Sequence, residues 1–158
     1  MEETPGTVTP TIYVDADACP VKEETYRVAQ RHGLPVVLVS NMWMRIPDHP
    51  WLSLEVVSDH FDAADDWIAE RAGTGDIVIT ADIPLASRCV ANGARVLGHK
   101  GQEFTERSIG ETVATRDLMA RLRDDLDLRG GPPPFAKKDR SQFLQKLDEI
   151  ARKVVSSR

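Results

Sequence analysis

Only two cysteines occur in 158 residues, Cys19 and Cys89. Neither belongs to a C-x-x-C pair and no His/Cys cluster has zinc-finger spacing, which excludes a disulfide framework and a structural zinc ribbon. No apolar run reaches the roughly 20 residues that a bilayer-crossing helix needs. The opening MEETPGTVTP is acidic and has no apolar stretch, so a signal peptide is not expected. Internal repeats are lacking, as is any dense block of Lys and Arg. These absences predict a cytoplasmic, reducing setting with two free thiols and no membrane partner.

What is present fits one ordinary globular domain: 41% of residues are apolar and 28% charged, enough to bury a sizeable core. The net charge of −5 is unevenly spread. Residues 137–158 carry seven Lys or Arg against three Asp or Glu, whereas the rest of the chain is acidic. An acidic body with a basic tail suits a chelating site beside a polyanion-binding arm, and equally a solvated helix face.

Residues 1–10 read as a disordered lead. TIYVD (11–15) is a nearly continuous apolar run, as expected of a strand covered on both faces. Pro20 fits the first turn of a helix over 21–33 that closes at Gly33. PVVLVS (35–40) is a second strand, NMWMRIPDHPWL a surface loop and SLEVVS (53–58) a third strand. A helix with an acidic first turn spans 62–73. GDIVITAD (75–82) is a fourth strand, 83–93 a helix and ARVLG (94–98) a fifth strand. S-x-x-E at Ser108–Glu111 predicts a capping box opening a long helix to about residue 128. A Gly/Pro linker follows from 129, and the chain closes on an amphipathic helix packed on the same domain. Alternating strands and helices predict an α/β fold with a mostly parallel sheet and helices on both faces.

Ligands of open parallel sheets bind beyond the carboxyl ends of the strands. Asp15 and Asp17 stand at that end of the first strand and Asp82 at that end of the fourth. Asp59, Asp62, Asp65 and Asp66 follow the third. Converging carboxylates suit hard divalent ions, Mg²⁺ or Mn²⁺, that can clamp a phosphate and activate water. Each acid also has a structural reading: Asp17 or Cys19 as cap of the first helix, Asp62 and Asp82 as caps of the next two, Asp76 as a turn residue. Asp15 has no such alternative, because an acid ending a buried strand needs partners. Asp62 and Asp65 share a helix face, whereas Asp65 and Asp66 are about 100° apart, which leaves Asp66 to solvent.

The strings VDADACPVK, FDAADDWI, GDIVITADIPLA and RGGPPPFAKKDRSQF resemble the YaiI/YqxD family, bacterial proteins grouped by fold with the PIN-like nucleases. The resemblance covers about residues 12–150. It implies a three-layer α/β/α PIN-like domain over 11–128 with a C-terminal helix, and an acidic cluster holding Mg²⁺ or Mn²⁺ for RNA cleavage. Carried over by position, Asp15, Asp65 and Asp82 become the catalytic and metal-holding acids. Asp62 joins them as a ligand, and Asp17, an acid particular to this family, joins the catalytic set. Thr80 neighbours Asp82 in a Thr-x-Asp motif and is expected to contact substrate.

Substrate contacts are expected from Lys22, one turn beyond the acids, and from Lys137, Lys138 and Arg140, which a stiff proline linker could aim over the site. The alternative for these cations is a solvated face, with Asp139 capping the last helix. Met42, Trp43, Met44 and Trp51 can stack bases, cover the core or form the contact of a homo-oligomer. Cys19 reads as packed rather than nucleophilic, and Cys89 as core. His60, beside Asp59 and Asp62, is the histidine nearest a candidate site residue. The expected function is divalent-metal-dependent cleavage of RNA. Two alternatives stand beside it: a non-catalytic nucleic-acid- or protein-binding module, and a haloacid-dehalogenase-type phosphohydrolase with Asp15 as nucleophile.

Overall fold

A computed structural model describes residues 9–60, 62–111, 114 and 135–156. In chain order the elements are β1 (Ile12–Asp15), α1 (Lys22–His32), β2 (Val36–Ser40), β3 (Leu52–Val56), α2 (Ala63–Arg71) and β4 (Ile77–Ile79). They continue with α3 (Ile83–Ala91), β5 (Arg95–Leu97), β6 (Glu103–Phe104), a helix whose described part covers 106–111 (α4) and α5 (Lys137–Ser156). The six strands lie in the order β3-β2-β1-β4-β5-β6. The first five are parallel, and β6 runs antiparallel to β5.

The alternation of side chains along each strand builds two apolar bodies, one on each face of the sheet. Ile12, Val14 and Leu38 point to one face and meet Val28 of α1 with Phe143 and Leu147 of α5. Val39, Val78 and Val96 point to the other and meet Ile68 of α2 with Leu85 and Cys89 of α3. Being covered on both sides, the strands can be almost wholly apolar, which is why β4 reads Ile-Val-Ile and is buried throughout. Helix α1 ends as expected: Gly33 takes the left-handed conformation (φ 67°) that its missing Cβ permits. Gly101 lets the turn after β5 run against α5, since a Cβ there would lie 2.8 Å from the Gln142 carbonyl.

Four expectations need correction. The fourth strand is shorter than 75–82, because Asp76 turns back to accept the backbone N–H groups of Thr11 and Gly73, each at 3.0 Å. The two-residue strand β6 was not foreseen; it is held by pairing with β5 rather than by its own pattern. The helix expected to start at Ser108 starts a turn earlier. Thr105 Oγ1 accepts from the Ser108 N–H at 3.1 Å and Ser108 Oγ accepts from the Thr105 N–H at 2.8 Å, so the capping box is T-E-R-S. Asp62 occupies the N-cap position of α2 in a left-handed conformation (φ 70°) and makes no side-chain cap bond. Residues 1–8 of the lead predicted at 1–10, the long helix toward residue 128 and residues 129–134 of the linker predicted at 129–139 lie outside the described residues. No helix among the described residues is long and apolar enough to cross a membrane.

Candidate functional site

The strand order steps outward from β1 to β2 and β3, then returns to place β4 on the other side of β1. The carboxyl ends of β1 and β4 therefore flank the point where the winding reverses, the place where open α/β sheets collect ligands. Asp15 is the last residue of β1. Its Oδ2 accepts a hydrogen bond from Thr80 Oγ1 at 2.9 Å, and Thr80 Oγ1 accepts in turn from the Asp82 N–H at 3.0 Å. Thr80 is fully buried, so this short chain fixes one carboxylate against another from within the protein. Asp82 also caps α3, accepting from the Leu85 N–H at 2.9 Å, with Pro84 in the first turn as the cap requires. The structural and the candidate functional readings of Asp82 thus hold together.

Asp17 is no cap. The residue before α1 is Val21, without a side-chain cap bond, and Cys19 does not supply one either. Instead Asp17 accepts from the Asn41 N–H at 3.1 Å and from Ser40 Oγ at 2.7 Å, tying the loop after β1 to the end of β2. Ser40 Oγ also lies 2.7 Å from the Met42 carbonyl; its one proton serves the stronger acceptor, the carboxylate. Between Asp17 and Cys19, Ala18 sits at φ 60°, a strained conformation for a residue with a Cβ.

Burial drives the electrostatics of this rim. Desolvation pushes the Asp15 carboxyl up, against the Thr80 hydrogen bond that favours its charge, and the carboxylates of Asp82 and Asp17 add to the push. Asp65 is raised to about 6, again first by desolvation and then by Asp82, Asp15 and Asp62. Asp65 therefore feels the acids of both strand ends, whereas Asp66 faces away and pairs with Arg88 at 2.7 Å on the surface. Asp62 is exposed at the start of α2.

Asp15, Asp17 and Asp82 line a single cavity of about 460 Å³, together with Ala18, Ile83 and His99. All-oxygen donors suit Mg²⁺ or Mn²⁺, which keep several waters and need only one or two carboxylates directly. Among the described residues, no three His, Cys, Asp or Glu side chains stand as a ready-made cage. The carboxylates present are of the donor type that hard ions take.

The basic residues are arranged differently. Arg140 donates to the Pro20 carbonyl at 2.6 Å, stands 3.5 Å from Glu24 and packs its guanidinium over Phe135. That tie brings the start of α5 to the loop carrying Asp17. Lys137 and Lys138 are exposed in the same first turn, and Lys22 is half-buried at the start of α1. None of these four is among the residues lining the cavity. Helix α5 starts at Lys137, three residues before the expected Arg140, so Asp139 is not its N-cap but lies in its first turn, where its carboxylate reaches back to accept from the Ala136 N–H at 2.8 Å. The aromatic loop divides: Trp51 stacks on His49 and, with Met44, packs on the core, whereas Met42 and Trp43 are exposed. Burial pushes the thiols of Cys19 and Cys89 to about 11, which leaves them neutral packing groups. His60 is exposed and does not line the cavity.

Three residues of this site escaped the sequence reading: Ser40, Asn41 and His99. Ser40 ends the apolar run PVVLVS, so its place on the same rim was the available signal. His99 follows the run ARVLG in the same way.

The model described as "Uncharacterized BCR, YaiI/YqxD family" matches residues 13–153. The chain belongs to the YaiI/YqxD family. It is 57% identical over 143 residues to a UPF0178 protein of Nitrobacter winogradskyi, covering 90% of this chain and 91% of that one. It is 55% identical over 147 residues to a UPF0178 protein of Rhodopseudomonas palustris, covering 93% and 90% of the two chains. A UPF0178 protein of a Bradyrhizobium strain is 54% identical over 148 residues, covering 94% and 90%. No solved structure gives a significant match. The YaiI/YqxD match takes in every acid of the rim and the helix α5 that returns to it.

Proposed function

We propose that the protein is a divalent-metal-dependent nuclease that hydrolyses phosphodiester bonds, with RNA as its substrate, at the cavity between β1 and β4. The observation that carries this reading is the delivery of Asp15, Asp17 and Asp82 from two strand ends to one cavity. Carboxylates raised by burial and by one another are in the state that a dication relieves. Asp15 and Asp82 would hold Mg²⁺ or Mn²⁺, with Asp17, Asp62 and Asp65 reaching it directly or through water. Such an ion supplies charge for the phosphate and an acidified water. Thr80 fixes the orientation of Asp15, the cap of α3 fixes Asp82, and Ser40 with Asn41 fixes Asp17, so these acids are preorganised by the fold. Lys22, Lys137 and Lys138 lie along the path of the bound backbone, with Arg140 holding their helix in place. The setting we assign is the cytoplasm, which the two buried free thiols support.

One observation favours a second reading, a non-catalytic binding module on the same scaffold: no three ligands among the described residues are already gathered as a cage. The phosphohydrolase reading is the weaker, because that class also needs a Ser or Thr after a second strand, a Lys and a later acidic pair, and Ser40, Lys100 and Asp82 match that spacing poorly.

The test uses single-stranded RNA with wild type and Asp82→Asn, in Mg²⁺, Mn²⁺ or EDTA. Asparagine still caps α3, so the change isolates charge from folding. Divalent-dependent cleavage that falls at least about 100-fold in the variant supports the nuclease. Wild-type protein that binds RNA and leaves it intact under all three conditions points to the binding module.

A further inference from the structure

The sheet has two edges, and the chain treats them differently. β6 is two residues long, and its Glu103 pairs with Arg95 at 2.9 Å and lies 3.7 Å from Lys146. Short, charged edges resist pairing with another strand. β3 is five residues long and carries one charge, Glu55, with neither Lys nor Pro. Its pairing with β2 runs without a bulge from Leu52 to Val56.

The hydrogen bonds at the two ends of this ladder fix which groups face outward. The Trp51 carbonyl accepts from the Val36 N–H at 2.8 Å, and the Val57 N–H donates to the Ser40 carbonyl at 2.9 Å. The backbone groups of 53 and 55 therefore face β2, and those of Leu52, Leu54 and Val56 face away from the sheet. The Leu52 N–H is used by the His49 carbonyl at 3.1 Å. Among the described residues, no hydrogen bond reaches the Leu52 carbonyl or the N–H and C=O of Leu54 and Val56. Met42, Trp43 and Val56, the large apolar residues left exposed among those described, stand at the neighbouring carboxyl ends of β2 and β3. The Asn41 side chain, donating to the Ser58 carbonyl at 2.8 Å, ties those two ends together.

We propose that the β3 edge is an interface for a second copy of this chain, which pairs antiparallel through its own β3 about a two-fold axis at Leu54. That register joins the two Leu54 residues by two hydrogen bonds and gives each Val56 N–H the Leu52 carbonyl opposite. It leaves the Leu52 N–H with His49. It also sets Ser53 beside Glu55 of the second copy, twice, so each carboxylate meets a hydroxyl donor. An axis at Glu55 would instead place the two carboxylates opposite each other. The occupant follows from this self-complementarity: the hydroxyl and carboxylate of one edge fit those of the same edge reversed. Met42 and Trp43 of each copy then stand at the end where the other's β3 begins. The inference is independent of the chemistry at the acidic rim.

Sedimentation equilibrium of the full chain over a concentration series tests it, with folding checked by circular dichroism. Wild type is expected to pass from one chain toward two as concentration rises. Val56→Pro deletes an outward N–H that bonds nothing within the described chain and should raise the dimer Kd at least about tenfold, for two lost hydrogen bonds. Ser53→Glu sets like charges opposite twice and should raise Kd about fivefold; adding Glu55→Lys should restore it. A wild type that stays monomeric up to about 1 mM would overturn the proposal. A dimer indifferent to both Val56→Pro and Ser53→Glu forms through another surface and would overturn it equally. Weakening by Ser53→Glu that Glu55→Lys does not relieve would overturn the register. If Val56→Pro does not fold, the charge variants, both at exposed positions, decide.

Discussion

Asp148, in the seam between α1 and α5, lies 2.7 Å from His32 Nε2 and 2.9 Å from Arg31. Its carboxyl is held below the ordinary range, chiefly by the hydrogen bond to His32. Asp15 and Asp65, at the cavity, are pushed the other way, chiefly by burial and then by fellow acids. The seam meets this acid with two bases, as expected where charge serves stability. The cavity rim gathers acids and gives them hydroxyls and backbone N–H groups instead. Ala18 at φ 60° and Asp62 at φ 70° add backbone strain on the same side of the sheet. Opposition to folding concentrated in one place is the pattern of a site kept for binding.

The largest effect that sharpens this contrast should come from Thr80→Val. It removes the donor to Asp15 and the acceptor of the Asp82 N–H while keeping the shape, and should cost about 1–3 kcal/mol in urea unfolding.

A smaller effect of opposite sign is expected from Asp65→Asn. The folded pKa of about 6 lies above the ordinary 3.8, so the native state binds this proton more tightly than the unfolded chain does. Ionised Asp65 therefore opposes folding above pH 6, and the opposition fades as the pH falls through about 6 toward 4. Asp148 behaves in reverse: its contribution is full above the unfolded value and is lost as the pH falls through its lowered folded pKa. In metal-free buffer the wild-type Tm should rise on going from neutral pH to about 5 and drop below about 4. Asp65→Asn should raise Tm at neutral pH and flatten the rise. A Tm at neutral pH unchanged by the substitution would break the contrast.

The smallest effect belongs to the seam. Asp148→Asn removes a largely solvated pairing and should cost about 0.5–1 kcal/mol, with no change in divalent-ion binding.

The strands were legible because both faces of the sheet are covered, so Ile-Tyr-Val, Val-Val-Leu-Val and Ile-Val-Ile each stand out as apolar runs. Their order was not written in any run; it follows from how α1, α2 and α3 cross between them. The acids at the strand ends could be named individually, and the cap made by Asp82 is local enough to read. Their partners could not: Thr80 is 65 residues from Asp15, and Ser40 is 23 from Asp17. Local pattern also misled where two overlapping motifs compete, as with T-E-R-S and S-I-G-E. At Asp62 a good capping residue is turned aside by its backbone. The departures of Asp62 and Ala18 from local preference fall on the side of the sheet where the candidate site lies.

The most direct test of the account is calorimetric titration of Mn²⁺ into wild type, Asp15→Asn and Asp82→Asn, with folding checked by circular dichroism. The account predicts saturable binding to the wild type that is lost in both folded variants, because the ends of β1 and β4 build one site. Saturable binding that survives both substitutions, or no saturable binding to the wild type, would contradict it.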